Sequence, residues 1–144
     1  MLVQQILKSK GDTGVMTVAP GSLVQDAAKI LAEKRIGTVV VSADGKAAVG
    51  ILSERDIVRE LAKRGASCMS DSVDNVMTAN PVTCGLGDSA DSVLERMTEG
   101  RFRHMPVCED GEMVGLVTLG DVVKARLSEV SMEKDALEGM IMGH

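Results

Sequence analysis

The same ten-residue pattern occurs twice in this chain of 144 residues, and the repeat constrains the fold more than any other feature. The copies occupy residues 49–58 and 114–123. After an initial valine, each copy reads as glycine, two aliphatic residues, a hydroxyl residue, two variable positions, aspartate and two more aliphatic residues. Corresponding residues of the copies are separated by one constant interval. Such self-similarity indicates that one structural unit is built twice.

The pattern itself predicts a strand that turns directly into a helix. Aliphatic residues before the hydroxyl residue are typical of a buried strand. A hydroxyl residue followed three positions later by an acid is typical of a helix N-terminus, where both side chains can cap the first turn. Each copy is therefore expected to turn from strand to helix at Ser53 or Thr118, with Asp56 or Asp121 in the first helical turn.

The residues around the two copies extend the repeat to complete units. Apolar residues at helical spacing predict an amphipathic helix that begins near Val24 in one unit and near Ala90 in the other. Strands are expected on both sides of each helix, so that a unit reads strand, helix, strand, strand, helix. The strands predicted outside the repeated pattern are 16–18 and 37–41 in the first unit, and 82–84 and 104–108 in the second.

The repeat predicts one α+β domain over residues 1–144. We expect the first unit at 3–64, a polar linker at 65–75, the second unit at 76–127 and an amphipathic C-terminal helix at 131–142. A short helical turn leads into each unit, at Val3 and at Val73. Because one unit is too small to form an independent core, the two are expected to pack face to face with pseudo-two-fold symmetry.

Composition excludes several classes of function. The net charge of −5 and the single aromatic residue, Phe102, argue against nucleic-acid binding, which needs clustered cations or stacking surfaces. No apolar run approaches the ~20 residues of a membrane span, and the N-terminus does not resemble a signal peptide, so a cytoplasmic protein is expected. Three widely spaced cysteines favour reduced thiols over a disulfide framework or a zinc site.

The repeated pattern resembles that of a tandem pair of cystathionine β-synthase (CBS) domains, which together form a Bateman module. The resemblance extends from Val3 to Leu127 and includes the segments 76–78 and 103–107 as well as both copies of the pattern. The order is similar to that of stand-alone bacterial CBS-domain proteins. It implies a regulatory module that binds an adenosine-containing ligand, such as AMP, ATP, NAD or S-adenosylmethionine, in clefts between the motifs.

The resemblance also implies roles for individual residues. The signature acids, Asp56 and Asp121, would bind ribose hydroxyls, with Ser53 and Thr118 beside the ribose and phosphate. The backbone of the second strand would frame the adenine, at Thr38 and Val39 in the first unit and at Met105 and Pro106 in the second. The start of the first strand would close the base pocket, at Val15 and Met16 and at Pro81 and Val82.

Cations for a ligand's phosphates are expected from the second unit. The resemblance assigns phosphate contacts to Arg103 and His104, whereas Gly37 and Thr38 occupy the matching places in the first unit. Phosphate affinity is therefore expected to differ between the clefts, although Arg55 could compensate for the missing cations of the first unit.

Each of these assignments has a simpler alternative. Asp56 and Asp121 could serve only as helix caps, since an acid in the first turn stabilises a helix by itself. The basic segment 101–104 could be a solvated edge. The segment 85–90 matches a dinucleotide-binding fingerprint, but we discount it because the corresponding segment of the first unit lacks the glycines.

The resulting hypothesis is a sensor of adenine nucleotides that acts through a partner protein and forms a homodimer through its aliphatic helices. The ligand is expected to be regulatory, and no catalytic cofactor is expected. A ligand-free module for dimerisation or scaffolding is the alternative. An enzyme acting on a nucleotide is a third possibility, although no nucleophile–base pair or carboxylate dyad stands out to support one.

Overall fold

The computed structural model describes residues 1–11 and 14–141, which form five α-helices, six β-strands and two 3₁₀ helices. The 3₁₀ helices are Gly65–Ser70 and Val73–Asn75. The other elements, in chain order, are α1 (Val3–Lys10), β1 (Thr17–Val18), α2 (Val24–Lys34), β2 (Thr38–Val41), β3 (Gly50–Ser53), α3 (Glu54–Arg64), β4 (Thr78–Ala79), α4 (Ala90–Gly100), β5 (His104–Glu109), β6 (Glu112–Thr118) and α5 (Leu119–Ile141).

The strands form two sheets, one in each unit. The first sheet has the order β1-β2-β3-β4, with β1 parallel to β2 and the other pairs antiparallel. The second sheet is the antiparallel pair β5-β6. The strand predicted at 82–84 is reduced to a single parallel bridge between Cys84 and Val107. Pro81 has no N–H to donate, and Asp88 turns the chain by accepting from the N–H of Gly85, so little extended chain remains.

The hydrophobic cores show that the short helical segment leading into each unit packs into the other unit. Val3 and Ile6 of α1 belong to the core of the second unit, together with residues of α4, β5, β6 and α5. Val73 and Val76 belong to the core of the first unit, with residues of α2, β2, β3 and α3. The packing therefore crosses the boundaries expected from the sequence repeat, and the units are joined at both ends.

This crossing explains the glycine at the second position of each repeated pattern. A Cβ at Gly115 would lie 2.8 and 2.9 Å from the two Cδ atoms of Leu7 on α1. A Cβ at Gly50 would lie 2.9 Å from Cγ of Met77, which precedes β4. Real Cβ atoms essentially never approach other atoms this closely, so the glycines are required by close packing.

Two other segments differ from the expectation. The predicted polar linker is packed, because the side chains of Cys68 and Val73 are fully buried. The predicted C-terminal helix is the continuation of α5, since the chain from Asp121 onward contains no proline that would end the helix. Met142, the last residue of that prediction, lies outside the described residues.

The α+β fold class is confirmed by the five helices and two sheets of the described residues. No helix in ranges 1–11 and 14–141 combines the length and apolar character needed to cross a membrane.

Candidate functional site

Two clefts lie between the units, and each combines strand residues of one unit with the repeated pattern of the other. The first cleft has a volume of about 720 Å³ and places Val15, Met16 and Thr38 of the first unit with Thr118 of the second. The second cleft has a volume of about 500 Å³. Both volumes fall in the range of roughly 300–1,000 Å³ that is typical of small-ligand sites.

The second cleft repeats this construction with the units exchanged. It is lined by Pro81 and Val82, which precede the strand-like segment of the second unit, and by Ser53 and Asp56 of the first unit's pattern. The segment 101–104 completes the lining. The structure therefore brings predicted adenine-side residues together with predicted ribose-side residues in both clefts.

Matching helix ends direct two segments into the clefts. Helices α2 and α4 both end at an arginine in the left-handed conformation, Arg35 with φ 53° and Arg101 with φ 57°. This conformation reverses the chain at a helix C-terminus and lets the next strand begin at once. The residues that follow, 36–38 and 102–104, line the first and second cleft respectively.

Ser53 and Asp56 form a capping box at the start of α3. The N–H of Ser53 donates to Oδ2 of Asp56 at 2.9 Å, and the N–H of Asp56 donates to Oγ of Ser53 at 3.3 Å. Nη1 of Arg59 lies 3.3 Å from the other carboxylate oxygen. Asp56 is thus a helix cap, but a carboxylate has about four lone-pair sites and can accept further hydrogen bonds. Because Asp56 also lines the second cleft, capping and ligand binding are compatible.

Asp121 caps α5 in the same way and is also held by α1. The N–H of Thr118 donates to Oδ2 of Asp121 at 2.9 Å, and Nζ of Lys10 lies 2.8 Å from the same oxygen. Burial raises the pKa of Asp121, but the hydrogen bonds from Lys10 and Thr118 outweigh burial and leave the pKa below its ordinary value. Thr118 and Lys10 line the first cleft, whereas Asp121 lies behind them.

His104 lies where the clefts meet, because it lines both of them. Gly37 also lines both clefts. Burial is the main cause that lowers the pKa of His104, and the positive charges of Arg103 and Lys10 lower it further. Asp121 and Asp56 partly oppose this shift of the pKa. The imidazole is therefore neutral near pH 7 and can both donate and accept a hydrogen bond.

The cations are concentrated in the second cleft. Four arginines line it, namely Arg55, Arg59, Arg101 and Arg103. The expectation that Arg55 could compensate for the first unit's missing cations is therefore wrong, since Arg55 and Arg103 line the same cleft. The reason is the exchange between units, which places the first unit's pattern beside the second unit's strand.

Four predicted site residues line neither cleft, and one of them is Asp121, which lies behind Thr118 and Lys10. Val39 and Met105 are fully buried in the two cores, and Pro106 is also buried. Successive side chains of a strand point to opposite faces of the sheet, so the side chains of Val39 and Met105, next to Thr38 and His104, turn inward. These residues were expected to frame the adenine through their backbone, and that assignment stays a prediction.

Sequence reasoning missed two residues of the site. Arg59 follows Asp56 by three positions, which is the spacing at which helical side chains meet, so this pair could have been found. Lys10 lies at the start of the first unit but contacts the pattern of the second unit, and no local signal indicates that pairing. Within residues 1–11 and 14–141, no group of three or more His, Cys, Asp or Glu side chains is placed to hold a metal ion.

The CBS domain family matches the chain twice, at residues 11–63 and 73–128. The CBS-domain containing protein ATU1752 from Agrobacterium tumefaciens is 42% identical, with a TM-score of 0.82 over 88% of this chain and 99% of that chain.

Two further similar proteins were solved in complex with adenosine compounds. The CBS domain protein PAE2072 from Pyrobaculum aerophilum, complexed with AMP, is 25% identical, with a TM-score of 0.77 over 92% of this chain and 99% of that one. The CBS domain pair of protein MJ0100, in complex with 5-methylthioadenosine and S-adenosyl-L-methionine, is 25% identical, with a TM-score of 0.77 over 90% of this chain and 98% of that one.

Proposed function

The chain belongs to the CBS domain family, and from this membership we propose that it is a regulatory module that binds adenine nucleotides or related adenosine compounds. The observation that carries the proposal is the composition of the two clefts. Each is large enough for such a ligand and combines strand residues of one unit with the pattern of the other, through Thr118 in the first cleft and through Ser53 and Asp56 in the second. The relatives solved with AMP, S-adenosyl-L-methionine and 5-methylthioadenosine support the choice of ligand class.

The chemistry of the second cleft fits the parts of a nucleotide. Asp56 can accept hydrogen bonds from the hydroxyl groups of the ribose. The guanidinium groups of Arg55 and Arg103 can bind phosphate through charge-assisted hydrogen bonds. Pro81 and Val82 offer an apolar edge for the adenine. In the first cleft, Met16 and Ile36 would contact the base.

Substitution of Asp56 tests the ribose assignment. Asparagine caps a helix about as well as aspartate, so Asp56→Asn should change the ligand-free melting temperature little. It removes the charge that strengthens hydrogen bonds from ribose, so AMP and ATP should bind more weakly at that cleft. The matched control is Asp26→Asn, because Asp26 is also a first-turn acid but lies on α2 outside both clefts.

The measurement is calorimetric titration with AMP, ATP, NAD and S-adenosylmethionine. Saturation by one of them at about 100 times its Kd should stabilise the protein by about 2.7 kcal/mol. A protein that binds none of the four would contradict the proposal. Unchanged affinity in Asp56→Asn would instead show that this acid is only a cap.

We also propose that the module is a homodimer that passes its ligand state to an effector protein. The apolar side chains of α5 at Leu127, Val130, Leu137 and Ile141 are all at least half exposed. With Val123, they follow the alternating three- and four-residue spacing of a coiled-coil seam, with Lys134 at the one polar position. Such a seam is suited to pairing with the same helix of a second copy, as the family resemblance implies.

The alternative of a ligand-free scaffold is favoured by one observation. Asp121 is already bound to Lys10, so the first cleft has no fully available signature acid. Under this alternative the dimer would form and the clefts would remain without ligand. We propose no catalytic role for the chain under either hypothesis. Titration separates the two hypotheses, because only the sensor binds adenosine compounds.

A further inference from the structure

Three arginines face the second cleft without an ion pair to any other described residue. They are Arg55 at the start of α3, Arg101 at the end of α4 and Arg103 before β5. The fourth, Arg59, is paired with Asp56. Glu54 is the other acid in the lining. Even after these acids are counted, the cleft carries an excess of positive charge.

Two of the three unpaired arginines have no charged counterpart in the first cleft, and the counterpart of the third, Arg35, lines neither cleft. Arg55 corresponds to Gly120 in the second copy of the pattern, and Arg103 corresponds to Gly37. Glu54 corresponds to an apolar residue, Leu119. The two clefts therefore share one architecture and differ in side chains at the positions beside the ribose-binding signature.

The cations that do line the first cleft come from α1. They are Lys8 and Lys10, and Lys10 is already engaged with Asp121 and with the carbonyl oxygen of Leu116. The remaining lining is mostly apolar and includes Leu7, Ile36, Val114 and Leu116. Several phosphate charges in this cleft would lose water without gaining enough cationic partners, which is unfavourable.

We propose that the two clefts hold different ligands. The second cleft takes a nucleoside di- or triphosphate, because three unpaired guanidinium groups can form charge-assisted hydrogen bonds to a polyphosphate chain. The first cleft takes an adenosine compound with one phosphate or none. This inference rests on the proposed function, since it assigns ligand classes to the same two clefts.

Arg101 and Arg35 provide a matched pair for the test. Both follow a helix of the same length in the left-handed conformation, and Arg101 lines the second cleft whereas Arg35 lines neither cleft. Arg101→Ala and Arg35→Ala should therefore affect folding alike. Arg101→Ala should weaken ATP binding about tenfold or more, since one charged hydrogen bond is lost, and change adenosine binding less than about twofold. Arg35→Ala should change neither.

Removal of both pattern and strand cations gives a stronger test. Arg55→Ala/Arg103→Ala should weaken ATP more than about 100-fold and leave adenosine binding within about threefold.

Calorimetric titrations with adenosine, AMP and ATP, without Mg²⁺, provide the readout, and Asp56→Asn identifies signals from the second cleft. The inference predicts that ATP affinity depends on the arginines and adenosine affinity does not. Equal losses for all three ligands in Arg55→Ala/Arg103→Ala would overturn the inference while leaving the proposed function intact. If the wild-type protein binds none of the three, the inference fails, and the proposed function fails with it only if NAD and S-adenosylmethionine do not bind either.

Discussion

Replacing Gly115 by alanine should destabilise the fold through a clash with α1. The new Cβ would lie 2.8 and 2.9 Å from both Cδ atoms of Leu7 and 3.4 Å from its Cγ. Both Cδ atoms are too close, so the Leu7 side chain must leave its packed conformation to clear the contact. Overpacking of this kind costs about 1–3 kcal/mol, and the lower backbone entropy of unfolded alanine offsets about 0.5–1 kcal/mol. The difference is a net loss of about 0–2.5 kcal/mol, with a middle value a little above 1 kcal/mol.

Thermal unfolding followed by circular dichroism measures this loss. For a domain of this size, the expected decrease in Tm is roughly 4–8 °C. Gly120→Ala is the matched control, because its Cβ would lie 3.7 Å from Oγ1 of Thr118, an ordinary contact, and alanine suits the first turn of α5. This control should be as stable as the wild type or slightly more stable.

A double-mutant cycle with Leu7→Ala makes the test specific to the pair. Removing the Leu7 side chain opens the space that the new methyl group needs, so the two changes should couple favourably by about 1–2 kcal/mol. Gly115→Ala with an unchanged Tm, or a cycle whose effects simply add, would refute the packing of α1 against β6.

Three further outcomes are expected. Burial raises the pKa of the Cys84 thiol to about 11. At pH 8, its alkylation by iodoacetamide, followed by mass spectrometry, should therefore be roughly 100-fold slower than in the unfolded chain. A rate equal to that of the unfolded protein would contradict this. Because the pKa of Asp121 is lowered on folding, this carboxylate stabilises the folded protein above its unfolded pKa of 3.8, and the stabilisation is lost as the pH falls below that value. Lys10→Gln should therefore be less stable than the wild type at pH 7, and the stabilities of the two proteins should converge in acid. A difference in urea unfolding that does not depend on pH would argue against the Lys10–Asp121 pair. Leu127→Asp should give a monomer in light scattering. The control is Ser128→Asp, at a neighbouring exposed position, and this variant should remain dimeric. Dimers of both variants would rule out the α5 seam.

The repeated pattern was sufficient to predict the local structure of the site. A hydroxyl residue and an acid three positions later predicted the helix starts, and Ser53 with Asp56 forms the expected capping box. Alternating and helical apolar spacings also placed α2 and α4 correctly, because both depend on local periodicity. These features follow from interactions between residues close in sequence, which sequence patterns report directly.

The composition of each cleft could not be read from the sequence, because it depends on contacts between the units. The positions of Arg55 and Arg103 on opposite sides of the linker favoured the interpretation that each serves its own unit. The structure places both in one cleft. The pairing of Lys10 with Asp121 was hidden for the same reason, since it joins residues at opposite ends of the chain.

The crossing of the flanking segments has a consequence for folding during synthesis. The core of the first unit is complete once Val73 and Val76 have left the ribosome, so this unit can form before the second is made. Helix α1 is synthesised first but must wait for its partners, which extend to Ala125. The apolar side chains of Val3 and Ile6 are therefore unprotected for most of translation. Helix α1 is therefore among the last elements to reach its native position, and its docking completes the core of the second unit.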